Sequence, residues 1–73
     1  MTYTFKAGEL VRLVPTQGVH QKERAGTVVR VTPTQVAVRP VDGMYDVMYH
    51  LSDGLPVRKI DQQFPCYAVR PQN

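Results

Sequence analysis

The sequence has no tryptophan, a single cysteine and no long apolar run. A lone thiol, Cys66, cannot close an internal disulfide, so the fold is not stapled and a reducing, cytoplasmic setting is expected. Phe64 and Tyr67 near it point to half-buried apolar packing rather than a reactive thiol. No stretch approaches the about 20 apolar residues that span a bilayer. Met1 to Gly8 carries Thr2, Thr4 and Lys6 where a secretory leader has its apolar centre. The five glycines are isolated, so no Gly-rich loop cradles a phosphate. Absent as well is the i, i+3, i+4, i+7 spacing of a long amphipathic helix.

The 73 residues make one domain at most, with 42% hydrophobic residues to bury. A fold this small sits near the stability limit and has little core volume to give up to a catalytic cleft. The formal charge of +3 and pI near 9.4 describe a mildly basic chain. Such a charge permits contact with nucleic acid or with an acidic protein surface and does not choose between them. The basic residues are spread from Lys6 to Arg70, with no polybasic tail.

Gly and Pro punctuate a series of short β patterns. Glu9 to Val14 reads as the first strand, with Val11 and Leu13 inward. Residues 15–24 form a long polar loop. Thr27 to Val31 is the second strand, entered through Gly26, which lets the backbone bend as the loop re-enters the sheet. Thr32-Pro33-Thr34 is a tight turn into the third strand, Gln35 to Arg39, with Val36 and Val38 inward and Ala37 and Arg39 outward. Asp42-Gly43 and Asp53-Gly54 are turn signals. Between them Met44 to Leu51 is a fourth strand, with Tyr45, Val47, Tyr49 and Leu51 on one face and Met44, Asp46, Met48 and His50 on the other. Leu55 to Ile60 is a fifth. Asp61 to Phe64 is one helical turn capped by Asp61. Cys66 to Val69 adds a short edge strand before a loose end. The pattern predicts a mostly β, small five-stranded barrel over residues 1–64, followed by an edge strand and tail over 65–73. Closing the sheet also removes aggregation-prone edges.

The segments Gly8-Glu9-Leu10-Val11-Arg12-Leu13, Ala25-Gly26-Thr27-Val28-Val29-Arg30-Val31 and Gln35-Val36-Ala37-Val38 together resemble the KOW motif of SH3-like barrels. Tyr45 to Tyr49 and Asp53 to Val57 look like the last strands of Tudor-like and other SH3-like domains. The loop at 15–24 departs from the KOW pattern in length and lacks its phosphate-contacting residues. In size and character the chain is similar to small phage-encoded regulators that bind bacterial RNA polymerase. That resemblance implies a non-catalytic protein in the host cytoplasm that inhibits initiation or alters termination. The alternative it implies is a nucleic-acid-binding barrel of ribosomal or RNA-chaperone type.

Candidate chemistry is sparse. Cys66 with His20 or His50 has neither the spacing nor the elbow of a nucleophilic pair. Two histidines and one cysteine do not make a metal site, and no cofactor is expected. Asp42 and Asp46 are near each other, but an Asp-Gly turn is structural. His50 shares a strand face with Asp46 as a solvated polar pair. A shared-pore oligomeric reductase lacks a matching motif, and a monomer is expected. Tyr45 and Tyr49 could stack bases but read better as core with hydroxyls at the rim. Met44 and Met48 suit an adaptable interface or packing beneath the loop. The best partner-binding candidates are the basic residues His20, Lys22 and Arg24 of the long loop, with Arg39 and the pair Arg58-Lys59.

Overall fold

A computed structural model describes residues 3–16, 22–63 and 66–72. Five antiparallel strands, β1 (Leu10–Pro15), β2 (Arg24–Val31), β3 (Gln35–Pro40), β4 (Val47–His50) and β5 (Tyr67–Pro71), form one sheet in the order β4-β3-β2-β1-β5. The sheet curls into a half-barrel. One 3₁₀ turn, Lys59–Gln62, precedes β5, and among the described residues no helix is long and apolar enough to cross a membrane.

Alternation sets the inner face. Val11, Leu13, Val28, Val36, Val38, Tyr49 and Val69 are buried together with Phe5 and Leu51. Their register explains the packing: Leu13 lies opposite Val69, Val28 opposite Val38, and Val36 opposite Tyr49. Gly26 falls on this inner face, opposite Val11 and Pro40. The positive-φ glycines among the described residues are Gly8 and Gly54, so bending is not why glycine stands at 26. A Cβ there would meet Val38 Cγ1 at 2.7 Å and Leu13 Cδ1 at 3.4 Å, so glycine serves close packing. The β2–β3 turn is locked by Thr32, whose backbone N–H and hydroxyl both donate to the Gln35 carbonyl at 2.9 and 3.2 Å.

Several expectations need correction. β2 begins at Arg24 rather than Thr27, because Arg24 to Thr27 pair with Leu13 to Leu10. A bulge between Val28 and Arg30 re-phases the strand, so Arg30 faces Ala37 across the ladder. Ala37 alternates outward between inward Val36 and Val38 and is nonetheless buried, with the longer Arg30 and Met48 opposite it on the two neighbouring strands. The fourth strand starts at Val47, not Met44. Val38 is the last β3 residue that pairs with β4, and residues 41–46 form a broad connection between the two strands. Tyr45 therefore lies outside the strand and is exposed instead of core.

The expected strand Leu55 to Ile60 reduces to a single bridge, Tyr49 to Pro56. Pro56 has no N–H to extend a ladder. The helical turn comes two residues earlier than expected, with extended Arg58 rather than Asp61 at its N-cap and no side-chain cap bond. Residues 54–57 instead span both sheet edges. His50 N–H donates to the Leu55 carbonyl and Val57 N–H to the Met48 carbonyl, while Val69 N–H donates to the Gly54 carbonyl at 2.8 Å. That crossing covers the two edges with backbone hydrogen bonds.

Candidate functional site

The topology gathers the end of β1, the start of β2, the end of β3 and the starts of β4 and β5 at one end of the half-barrel. The 3₁₀ turn adds Ile60 and Asp61 there, and a cavity of about 200 Å³ opens between them. Leu13, Pro40, Val47 and Ile60 supply apolar walls; Arg24, Tyr49, Gln63 and Tyr67 complete the lining. The connection 41–46 joins two residues of its lining, since Pro40 and Val47 bound the connection and line the cavity.

Arg24 is held from two sides. Its guanidinium lies 5.4 Å from the centroid of the Tyr67 ring, a cation–π contact. It also donates to the Asp42 carboxylate. That hydrogen bond raises the Arg24 pKa and holds Asp42 below the ordinary carboxylate range. Arg39 donates to Asp46 at 2.8 Å across the same connection. Both pairs are open to solvent, so they orient side chains more than they stabilise the fold.

Tyr49 is 3% exposed. Burial is the main cause that pushes its phenol well above the ordinary 10.0, with nearby Asp61 adding to the effect. The sign is that of an acid whose ionised form the fold disfavours. Stability is full below the unfolded value of 10.0 and is lost as pH rises beyond it, because only the unfolded chain then releases the proton readily. The Tyr49→Phe variant should therefore match the parent near neutrality and resist alkaline unfolding better. Denaturant midpoints on either side of pH ~10 check this; equal alkaline losses in both proteins would rule it out.

The predicted cations meet different fates. Arg24 and Arg39 are ion-paired, whereas Lys22, Arg58 and Lys59 are exposed and take no part in the ion pairs among the described residues. His20 lies outside the described residues. Arg24 and Arg39 share one end of the sheet by register, Lys22 lies two residues before β2, and Arg58-Lys59 directly precede Ile60 of the cavity lining. Sequence reasoning missed Tyr67, Ile60 and Asp61 as members of this site. The available signal was Tyr67 lying two residues before the inward Val69, on the same face.

His50 and Cys66, unrelated in spacing, border a second, shallower cavity of about 490 Å³. Its polar groups already serve the fold: Thr16 donates to the Cys66 carbonyl, Asp53 accepts from Leu55 N–H, and Gln62 donates to the Pro56 carbonyl. Cys66 is buried, as its apolar neighbours imply. Asp46 is taken by Arg39 rather than by His50.

Three residues of the 41–46 connection stand out by exposure: Val41 at 70%, Met44 at 83% and Tyr45 at 77%. They are the exposed apolar residues of a connection that the Arg24–Asp42 and Arg39–Asp46 ion pairs tie to β2 and β3. No family model, no curated protein and no solved structure matches the chain.

Proposed function

We propose that the chain is a non-catalytic docking module that binds a protein partner, and that the partner is bacterial RNA polymerase, with initiation inhibited or termination altered as the result. The observation that carries the docking reading is the exposure of Val41, Met44 and Tyr45 within one short connection. Large apolar side chains held in water beside oriented charges are the composition of an interface centre with a polar rim. The choice of polymerase follows from the KOW-like resemblance. A five-stranded antiparallel sheet with one 3₁₀ turn before its last strand is in keeping with an SH3-like barrel.

The nucleic-acid alternative draws less support. Arg12, Arg24 and Arg39 are each held by a carboxylate, and Arg70 stacks over Tyr3 and donates to the Asp53 carbonyl. Phosphate binding would have to compete with those partners.

Purified polymerase immobilised on a sensor tests the proposal. The parent chain is expected to bind, and the Met44→Ser/Tyr45→Ser double variant to bind about 30-fold more weakly, the loss of a ~2 kcal/mol hot spot. Both side chains are exposed, so the variant should keep its thermal midpoint. Absence of polymerase binding, or binding to DNA or RNA that collapses steeply with salt, would overturn it.

A further inference from the structure

We infer that the cavity at the end of the half-barrel receives one aromatic side chain of the partner, carried on a segment with acidic residues beside it. The inference rests on the protein-docking reading above and names what that surface recognises.

Size comes first. At about 200 Å³ the cavity is smaller than the roughly 300 to 1,000 Å³ of sites that enclose small molecules or cofactors. Its volume suits a single large side chain, the usual anchor of a protein interface. The lining has the same character. Leu13, Pro40, Val47 and Ile60 offer an apolar bed, and the Tyr67 ring with the guanidinium above it forms a flat wall. Aromatic rings pack on such walls by edge-to-face and offset contacts. The Tyr49 phenol and the Asp61 carboxylate border the same space and can meet a polar ring tip.

Charge fixes the flanks. Arg24 and Asp61 line the cavity, Arg24 is already neutralised by Asp42, and Arg58 and Lys59 directly precede Ile60 in the chain. Arg58 and Lys59 are exposed on the residues leading into Ile60, which is itself 66% exposed at the rim. A segment entering past Ile60 thus meets two cations unengaged by the ion pairs among the described residues. Acidic neighbours complement them, and basic neighbours would be repelled.

The test uses the full chain, isotope-labelled, titrated by NMR with three capped tripeptides: Glu-Phe-Asp, Glu-Ala-Asp and Lys-Phe-Lys. The acidic aromatic peptide should give saturable shifts centred on Ile60, Arg24 and Tyr67. The other two should bind at least about tenfold more weakly, a difference of ~1.4 kcal/mol. The Ile60→Ser variant, altered at an exposed rim position, should keep the wild-type spectrum and lose most of the affinity. Equal binding of all three peptides, no saturable binding at millimolar peptide, or shifts centred elsewhere would each overturn the inference. Polymerase binding without peptide binding sinks the pocket and leaves the docking surface standing. Peptide binding without polymerase binding sinks the choice of partner and leaves the pocket standing.

Discussion

A chain ending at residue 64 is expected not to fold. The cut removes β5, which is paired with β1 from Val11–Pro71 to Pro15–Tyr67. It also removes Val69, fully buried opposite Leu13, along with buried Cys66 and Ala68. Burying a valine side chain contributes about 1.5–3 kcal/mol. The rest of the strand adds its ladder hydrogen bonds and covers Val11 and Leu13, which would otherwise face water. A domain of this length has roughly 4–11 kcal/mol of stability in all. Losing one of the sheet's five strands, and with it one of the four strand pairings, exceeds what it can lose. The shortened chain should show collapsed NMR dispersion and no cooperative thermal transition. A chain ending at Pro71 keeps every described strand residue and should melt within a few degrees of the parent. Cooperative unfolding of the 64-residue chain would show that β5 is an accessory to the fold rather than part of it.

How far the sequence displays this structure depends on whether the signal is local. Val11 and Leu13, and Val36 and Val38, alternate with polar neighbours and all point inward, as period two requires. The Thr32-Pro33-Thr34 turn is equally local, because Thr32 makes its bonds to Gln35 only three residues away. Failures begin where the outcome depends on a partner strand. Nothing in Val28-Val29-Arg30-Val31 says which residue bulges; the pairing with β3 decides it. Tyr45 continues the alternation of Val47 and Tyr49 in sequence, yet the β3–β4 pairing stops at Val38 and Val47, and the β3 residue opposite Tyr45 by register is Pro40, which has no N–H to give a ladder. Pro56 is a local signal against the expected fifth strand, since a proline cannot donate to a ladder on both sides.

The site is less legible than the fold. Composition singled out Arg24 but could not place Tyr67 beneath it. That contact needs two registers at once, Leu13 to Arg24 and Pro15 to Tyr67, each set by the opposite side of β1. Nor could it show that Asp42 and Asp46, read as turn and face residues, would turn back to hold Arg24 and Arg39.

Gly54 is the position where one methyl group should do the most damage. Its φ of +77° lies in the left-handed region, which costs a side-chain-bearing residue about 1–2 kcal/mol. A Cβ would also lie 2.5 Å from the Val69 carbonyl oxygen, a backbone atom with little freedom to move. The Gly54 carbonyl receives the Val69 N–H, and its own N–H donates to the His50 carbonyl, so the residue ties β4 to β5. Relieving the clash means opening that tie. The Gly54→Ala variant should lose about 2–4 kcal/mol in total, the backbone strain plus an overpacking cost. For a domain of this size that lowers the melting temperature by roughly 10–25 °C. Gly8 provides the control, because its φ of +87° is similar while nothing lies within 4 Å of its Cβ position. Gly8→Ala should therefore carry the strain alone, about 1 kcal/mol. The difference between the two variants isolates the contact that joins the sheet's edges. Equal losses in a side-by-side thermal melt would mean that the 54–57 crossing does not press against β5 and does not tie the sheet's two edges together.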